Sequence, residues 1–304
     1  MYFKKALPDV VKNHEPVSKG RLKWVGMTEI EIPLRYKVED EEFRVKALAD
    51  ALVSLDDENA KGIHMSRLFL DLEDTLSSET LSPTLIKRAL NRFLESHNGC
   101  SKNSRLNLKF DYMVKRPALL SSNKGWRSYP ISIKAKTVGS LTTIDLEVRI
   151  VYSSTCPCSA ALARQAIQEN FITRFPGAEN VTSSDVHQWL GTEEGVVATP
   201  HAQRSHADVL IRLQEDVKEF PILELIDRVE KALGTPVQAA VKREDEQEFA
   251  KRNAQNLMFS EDAARKIKSI LEGDPIVSRY RVRVRHFESL HAHNVTAIAT
   301  SDFR

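Results

Sequence analysis

The sequence predicts an α+β protein with two related modules in tandem, and three observations support this fold class. The chain has 304 residues, 41% of them hydrophobic, which is enough to bury about three quarters of its surface and favours two modules over one. In the first half, stretches with strand periodicity stand on both sides of two helical stretches. The second half repeats this order with insertions, so we place the modules at 1–155 and 156–304, with an insertion around 162–200.

The first half contains the clearest pattern. Residues 27–36 (MTEIEIPLRY) alternate apolar and polar side chains and predict a strand. Residues 43–55 have a weaker period of the same kind, which leaves strand and helix both open. Residues 64–76 place apolar side chains on one helical stripe, and Ser82 followed by Pro83 is typical of a helix start. Three β-rich stretches follow, at 106–114, 129–138 and 141–152.

The second half contains the same kinds of element. Residues 161–175 predict a helix, and 178–200 predict an insertion of polar turns and short segments. Residues 206–214 predict a strand, 223–233 a helix, and 236–241 a short buried element. Two further helices and a cleanly alternating strand complete the chain, at 244–256, 260–273 and 279–287.

The charge balance excludes functions that depend on a global electrostatic field. Lys and Arg number 44 against 42 Asp and Glu, a net charge of +2, so neither nucleic acid nor an anionic membrane is an expected partner. The first residues, MYFKKALPDVV, lack an apolar core of signal-peptide length, and no run of ~18 apolar residues occurs. We therefore expect a soluble cytoplasmic protein that binds any anionic ligand through a local cluster.

Two of the three cysteines, Cys156 and Cys158, flank a proline at the end of a predicted strand. The odd number of cysteines, with Cys100 as the third, and the strain of a C-x-C ring argue against a disulfide. The spacing is not the C-x-x-C of zinc ribbons, and no second pair completes four sulfurs. A metal here would need His or carboxylate as its other ligands, which favours a catalytic site. A buried small residue beside an incidental thiol is the alternative.

Three of the nine histidines, His286, His291 and His293, lie close together around Glu288. On a strand His291 and His293 would share a face, whereas Glu288 and His291 would share one only where the chain turns. Either arrangement offers two ligands to one ion. A solvated edge strand with chance histidines is the alternative, because the preceding RYRVRVR is highly charged.

A second polar stretch, PHAQRSHADV, carries His201, Gln203, Arg204 and His206 immediately before a predicted strand. A histidine beside an arginine can act as an acid or base near an anionic group, because His titrates near neutrality and Arg forks onto phosphate oxygens. Ordinary loop polarity explains the same residues equally well.

Two carboxylates on predicted helices are further candidates. Glu246 and Glu261 are 15 residues apart, so one unbroken helix would separate them by about 22 Å. They can share a site only if the chain breaks near Asn256 or if two subunits contribute one each. The alternatives are a solvated charged helix for Glu246, and a first-turn carboxylate with Ser260 as the cap for Glu261.

Lys61, His64 and Arg67 surround the start of the first predicted helix, where an anion could be bound. By contrast, the sequence contains no G-x-G-x-x-G, no G-x-x-x-x-G-K-[ST] and no G-x-S-x-G motif. Dinucleotide-binding, P-loop and hydrolase-elbow functions therefore have no support.

Six segments in this order, KGIHMSR, TCPCS, HAQRS, KREDE, FSED and FESLHAH, resemble the motifs of the GTP cyclohydrolase IB family. Each segment alone is weak, but six in register are highly specific, and the resemblance runs from about residue 25 to the end. It implies the tunnelling fold, in which ββααββ modules with antiparallel sheets and helices on one face assemble into barrels across subunits. It also implies a homo-oligomer, a dimer or tetramer, with active sites at subunit interfaces.

The resemblance also assigns roles to individual residues. The catalytic candidates are Cys156, His201 as an acid or base near the reacting carbon, and Glu261 as the carboxylate that binds the guanine edge. Cys158 would be a packed neighbour that shapes the turn. The ligands of a divalent metal, zinc or manganese with iron as a further option, would be Cys156, Glu246, Glu288 and His291. The triphosphate would bind a local cluster drawn from Arg204, Lys61, Arg67, Lys242 and Arg243.

The implied reaction converts GTP and water to 7,8-dihydroneopterin triphosphate and formate, the first step of tetrahydrofolate and pterin biosynthesis. Carbon 8 of guanine is a poor electrophile, so a bound cation would be needed to activate water, while a histidine protonates the ring nitrogen as the ring opens. A buried carboxylate that accepts two N–H bonds from guanine would select it over adenine.

About forty residues between Cys158 and His201 depart from the shorter family pattern, and we expect them to loop out as an insertion. Three other functions stay open. A related branch makes a cyclic phosphate from GTP. A nitrile reductase with the tunnelling fold would use Cys156 as a covalent nucleophile together with a nicotinamide cofactor. A non-catalytic protein would bind a pterin or a metal without releasing formate.

Overall fold

Eight strands follow one another in chain order across one antiparallel sheet. The computed structural model describes residue 11 and the ranges 14–177 and 180–301. Residues 1–10 and 12–13 of the predicted first module, 178–179 of the predicted insertion and 302–304 of the predicted second module lie outside the described residues. The strands are β1 (Leu22–Val38), β2 (Glu41–Leu55), β3 (Asn103–Pro117), β4 (Lys124–Val138), β5 (Leu141–Thr155), β6 (Ala202–Leu213), β7 (Val277–His286) and β8 (Val295–Thr300).

Helices connect the strands at three places within these described ranges. The helices between β2 and β3 are α1 (Met65–Leu76) and α2 (Pro83–Ser96). Those between β5 and β6 are α3 (Pro157–Arg174) and α4 (Ser183–Leu190). Those between β6 and β7 are α5 (Ile222–Leu233), α6 (Arg243–Gln255) and α7 (Ser260–Leu271). In these ranges no helix is long and apolar enough to cross a membrane.

The strands and helices that the sequence predicts are confirmed, with ends that differ by a few residues. The ambiguous stretch 43–55 is a strand, because Ala47, Ala49, Ala51 and Val53 are all buried on one face while the residues between them point to the other. The predicted buried element at 236–241 is wrong. It is a loop with one isolated bridge, between Tyr152 and Pro236, and none of its residues is buried.

Four helices, α1, α2, α5 and α7, cover one face of the sheet and form the core with it, whereas α3, α4 and α6 contribute no described residue to this core. Alternate residues of the strands, such as Leu106 and Leu108, are fully buried against apolar side chains of the helices, such as Phe93 of α2. The start of α2 is capped as predicted, because the Ser82 side chain accepts a hydrogen bond from the Leu85 N–H (3.1 Å) and Pro83 occupies the first turn.

The face without helices is polar, and Asp208 lies at its centre. The sheet register places Arg149 of β5 and Arg283 of β7 directly opposite Asp208 of β6. Arg149 donates to Asp208 Oδ1 (2.6 Å), and Arg283 and Arg285 donate to Oδ2 (2.9 and 3.2 Å). Burial alone would raise the pKa of Asp208, but the hydrogen bonds from Arg149 and Arg283 outweigh it and hold the pKa below its ordinary value.

Different parts of the chain lie at the two ends of the sheet, taken along the strand direction. At one end Thr155 pairs with Ala202, and we call this the Cys156 end because the cysteine follows directly. At the other end Leu141 pairs with Val138, and there β2 ends at Leu55 before the chain enters α1. β5 has 15 residues, which places the two ends about 45 Å apart.

The segment between β5 and β6 forms a helical pair beside the sheet. Phe171 of α3 and Phe175, the residue after α3, pack against Trp189 of α4, with ring centroids 5.5 and 5.9 Å from the indole. Only Ala160 and Ala163 of α3 are buried. The insertion therefore leaves the β5–β6 pairing intact, while the predicted division into modules at residue 155 stays a prediction.

Truncation of Phe93 tests the core between the sheet and α2. Phe93 is fully buried, so we expect Phe93→Ala to lower the free energy of unfolding by about 3–5 kcal/mol in urea titrations. Phe69 of α1 is 39% exposed, and Phe69→Ala should cost less than about 1 kcal/mol. Equal losses would contradict the assigned helix faces.

Acid should remove the contribution of Asp208 to stability. Because its pKa is lowered in the folded state, this contribution is present above the unfolded value of about 3.9 and is lost as the pH falls through the folded value. We expect Asp208→Asn to lower the free energy of unfolding by about 3 kcal/mol at neutral pH. The difference from wild type should shrink as the pH falls below the unfolded value. Asp111→Asn, an exposed carboxyl on the same face, should show no such trend.

Candidate active site

Cys156 lies where β5 ends and α3 begins. It is the residue before the helix, with extended backbone (φ −70°, ψ 124°), and Pro157 takes the first helical position, where its fixed φ is favourable. The thiols of Cys156 and Cys158 are both free, as the sequence predicts. Cys156 is half-buried, whereas Cys158 is exposed, so the prediction that Cys158 is a packed neighbour is wrong.

His201 lies beside Cys156 because the last residue of β5 pairs with the first residue of β6. Next to the Thr155–Ala202 pair, the Cys156 N–H donates to the His201 carbonyl (3.3 Å). The His201 N–H in turn donates to the Ser159 hydroxyl in the first turn of α3 (3.0 Å). The backbone of His201 is therefore held from two sides, and the predicted acid or base lies next to the predicted metal-site cysteine.

The His201 ring is held by a polar network in the sheet. Its Nδ1 lies 2.9 Å from Gln203 Oε1. Gln203 is buried, and its Nε2 donates to the Ser154 hydroxyl (2.8 Å), which lies 2.8 Å from the Ser205 hydroxyl. All of these side chains lie on the face of the sheet that the helices cover. The hydrogen-bonded network of Gln203, Ser154 and Ser205 therefore fixes the orientation of the His201 ring.

The chain breaks between α6 and α7, which is one of the two conditions under which Glu246 and Glu261 could share a site. α6 ends at Gln255 with Asn256 as its last capping residue, and the Met258 N–H then donates to the Thr155 carbonyl (3.2 Å). This contact brings the start of α7, and with it Glu261, to the Cys156 end.

Glu261 is exposed in the first turn of α7, so it is not buried within one chain as the guanine-binding role assumes. The Glu261 N–H and the Ser260 hydroxyl, which donates at 2.9 Å, hold the pKa of its carboxyl below the ordinary value. Ser260 is not the helix cap, because α7 is capped at Phe259, whose N–H donates to Asp262 (3.0 Å). A bound ligand or a second chain would have to exclude water from Glu261.

His286 is a buried structural residue beneath the site. It is 3% exposed at the end of β7, and its Nε2 lies 2.8 Å from the Tyr152 hydroxyl. Burial lowers the pKa of His286 to about 4, although the nearby charge of Glu261 opposes the shift. The residue belongs to the same buried alternation as Tyr280, Val282 and Val284, a pattern that could have identified it in the sequence.

Glu288 and His291 lie in the irregular loop between β7 and β8, at the Cys156 end. The chain leaves the strand after His286, so His291 and His293 do not share a strand face, although their exposed rings stack with centroids 5.1 Å apart. The loop starts beside β6, where the Phe287 N–H donates to the Arg204 carbonyl (3.3 Å). The alternative of an edge strand is wrong here, because β7 lies between β6 and β8.

Lys242, Arg243 and Glu246 lie at the exposed start of α6. Between them stands Asp245, which is fully buried and accepts hydrogen bonds from the loop between β3 and β4. Further along α6, Asn253 accepts a hydrogen bond from the Ser153 hydroxyl (2.6 Å). The sequence does not reveal the contacts of Asp245 and Asn253, because both residues lie within a charged run. They tie α6 to the Cys156 end.

The structure does not bring the remaining predicted phosphate ligands to this site within one chain. Lys61 and Arg67 lie around the start of α1, at the opposite end of the sheet, where the Arg67 guanidinium donates to the Ser96 carbonyl (3.2 Å). Arg204 follows Gln203 on β6 and therefore points to the polar face, away from the face of His201. Lys61 and Arg67 can meet the Cys156 end only if they come from a second copy.

The predicted metal ligands suit a divalent ion in their chemistry and lie at one end of the sheet. A thiol, two carboxylates and an imidazole form a mixed donor set that zinc accepts. In the ranges that the structure describes, however, no three His, Cys, Asp or Glu side chains are close enough together to hold an ion. The predicted ligands therefore suit a divalent ion in chemical type, and within the described part of one chain they are not gathered into a metal site.

Comparison with known proteins supports the fold. The uricase from Arthrobacter globiformis superposes with a TM-score of 0.52 over 93% of this chain and 94% of its own, at 9% sequence identity. A hyper-thermostable variant of that uricase gives 0.51. At this identity the likeness concerns the fold alone, and together with the antiparallel sheet and its one-sided helices it confirms the predicted α+β tunnelling fold.

Comparison of sequences supports the family. The family model described as Type I GTP cyclohydrolase folE2 matches residues 7–297. The GTP cyclohydrolase FolE2 of Pseudoalteromonas translucida is 48% identical over 295 residues, which cover 96% of this chain and 97% of the relative. That of Hydrogenovibrio crunogenus is 44% identical over 296 residues, covering 97% and 94%. The chain therefore belongs to the Type I GTP cyclohydrolase FolE2 family.

Proposed function

We propose that the protein converts GTP and water to 7,8-dihydroneopterin triphosphate and formate, the GTP cyclohydrolase reaction that starts folate and pterin biosynthesis. Family membership supports the activity. The structural observation that carries the proposal is the backbone hydrogen bond between Cys156 and His201, which makes a half-buried cysteine the spatial neighbour of a histidine whose ring is held by Gln203. A cytoplasmic location fits the free thiols and is part of the proposal.

His201 is the proton-transfer residue of this proposal. Gln203 engages Nδ1, so we assign the transfer to Nε2, which would protonate the imidazole nitrogen of guanine as the ring opens. The network through Ser154 and Ser205 keeps the ring from turning away. The histidine thus acts from a preorganised position rather than from a mobile loop.

Glu261 is the guanine-binding residue of this proposal. Its lowered pKa keeps the carboxylate charged at neutral pH, ready to accept the N1–H and 2-amino hydrogens of guanine. Adenine has an acceptor at N1 and would leave the carboxylate unpaired, which gives selectivity once water is excluded.

The proposed metal ligands are Cys156, Glu246, Glu288 and His291. When bound there, a divalent ion such as zinc, manganese or iron would activate water for attack on carbon 8.

A homo-oligomer completes the proposed site. Lys61 and Arg67 of one chain, on the opposite end of the sheet, would meet the triphosphate bound at the Cys156 end of another, together with Lys242 and Arg243. Arg204 would contribute only if assembly places the polar face of the sheet next to the bound triphosphate. Assembly of the sheets into a barrel across subunits would provide this arrangement.

Removal of the Cys156 thiol tests the activity and the site together. With zinc or manganese supplied, we expect Cys156→Ala to lower the release of formate and of fluorescent oxidised neopterin from GTP by about 100-fold or more, because a metal ligand is lost. Cys158→Ser is the matched control, since that thiol is exposed, and it should stay near wild-type activity.

The same assay separates the other functions. A cyclic phosphate product would identify the related branch of the family, and GTP binding without formate would identify a binding protein. Wild-type protein that makes no pterin with any metal would overturn the proposal, as would turnover that requires a nicotinamide cofactor.

Replacement of Glu261 tests recognition of the base. Inosine triphosphate lacks the 2-amino group, so wild type should prefer GTP over it in kcat/KM. We expect Glu261→Gln to lower kcat/KM for GTP by about 10–100-fold and to shrink this preference, because the charged acceptor is lost. An unchanged preference would show that Glu261 does not contact the base edge. Glu224→Gln, an exposed first-turn carboxylate of α5, is the control.

A further inference from the structure

α6 is bound to the rest of the protein without an apolar face. Of its thirteen residues, REDEQEFAKRNAQ, Asp245 is the one that is buried, and it is fully so. A surface helix usually docks through a stripe of apolar side chains, as α5 does with Leu225, Ile226 and Val229. The position of α6 therefore depends on polar contacts.

The Asp245 carboxylate makes four of these contacts. Oδ1 accepts hydrogen bonds from the N–H groups of Leu120 (2.7 Å) and Ser121 (2.9 Å) in the loop between β3 and β4. Oδ2 accepts from the Ser121 hydroxyl (2.5 Å) and from the Lys242 N–H that precedes α6 (2.8 Å). One carboxylate thus joins the loop to the first turn of the helix, and both of its oxygens are fully engaged.

The segment that precedes α6 also packs closely against the start of β4. A Cβ atom added to Gly125, at the start of β4, would lie 2.6 Å from Ala239 Cβ and 2.9 Å from the Ala240 nitrogen. At the other end of α6, Asn253 Oδ1 accepts from the hydroxyls of Ser153 (2.6 Å) and Thr155 (3.3 Å), immediately before Cys156. The helix is therefore fixed at both ends relative to the Cys156 end of the sheet.

The spacing of Glu246 and Asn253 along α6 indicates the direction in which Glu246 points. Glu246 precedes Asn253 by seven residues, close to two turns, so the two side chains lie on the same side of α6, about 10 Å apart along its axis. Asn253 faces the end of β5, and Glu246 faces the same way. Asp245 is rotated by one residue towards the β3–β4 loop, so the neighbouring carboxylates point in different directions.

We propose that Asp245 is a positioning residue, which binds the β3–β4 loop and thereby holds the first turn of α6 so that Glu246 faces the site. The proposal rests on the proposed function, in which Glu246 is a metal ligand. Lys242 and Arg243 are carried by the same turn, so Asp245 also sets where these cations stand.

Asp245→Asn tests this role, because it keeps the shape of the side chain but places an amide where N–H donors converge. Metal-stripped full-length protein would be titrated with Mn²⁺ and followed by electron paramagnetic resonance. We expect the affinity to fall by about 10–100-fold, as for other residues that orient a metal ligand. Hydrogen exchange should become faster in 118–123 and in the first turn of α6.

Three further variants separate positioning from other effects. Glu244→Gln, an exposed carboxylate of the same turn, should change neither readout. Glu246→Gln should lower Mn²⁺ affinity but leave exchange in 118–123 unchanged. Ile86→Val, a core change away from α6, should lower stability without changing Mn²⁺ affinity. If Asp245→Asn does not fold, Ser121→Ala removes one of the four contacts and should give smaller changes in the same direction.

Wild-type Mn²⁺ affinity in Asp245→Asn, or in Ser121→Ala with a loosened loop, would overturn the positioning role. A different result would show that the proposed metal-ligand role of Glu246 is wrong. If Glu246→Gln binds Mn²⁺ as wild type does, Glu246 is not a ligand, and its positioning by Asp245 is overturned through that result alone.

Discussion

β5 and β6 pair from Asp145–Arg212 to Thr155–Ala202, and both sides of the protein depend on this pairing. On the helical face it brings Cys156 to His201 and lets Gln203 reach Ser154. On the polar face it places Arg149 opposite Asp208. Because a shift by one residue would exchange the two faces, the buried alternation of β5 and β6 fixes both arrangements at once.

The polar contacts divide into two groups with different physical roles. Asp208 and Asp245 are buried carboxylates that are compensated in full, the first by arginines and the second by N–H groups and a hydroxyl. Both therefore specify geometry. Glu246, next to Asp245, and Glu261, in the first turn of α7, are exposed at the Cys156 end, and exposed carboxylates at one end of a rigid sheet are free to bind a ligand.

The distances within one chain are the physical reason for the second chain in the proposed site. β5 alone spans about 45 Å, and the cations around α1 lie at the far end of that distance from Cys156. The charged side chains on the face without helices are a further surface that one chain leaves uncovered. A second sheet placed against this face would cover it, and the opposite end of another chain would bring cations to a triphosphate.

The sequence by itself determined the family and most of the elements, since strand alternation, the Ser82–Pro83 helix start and six motif segments are local patterns. It did not predict α4 or β8. It also determined that Glu246 and Glu261 can share a site only with a chain break near Asn256 or with one residue from each of two subunits, and the chain does break at Asn256. Tertiary structure alone decided which residues meet. The buried role of Asp245, the exposure of Cys158 and Glu261, and the loop at 236–241 follow from sheet register and long-range packing. Those contacts join residues far apart in the chain, so no local periodicity encodes them.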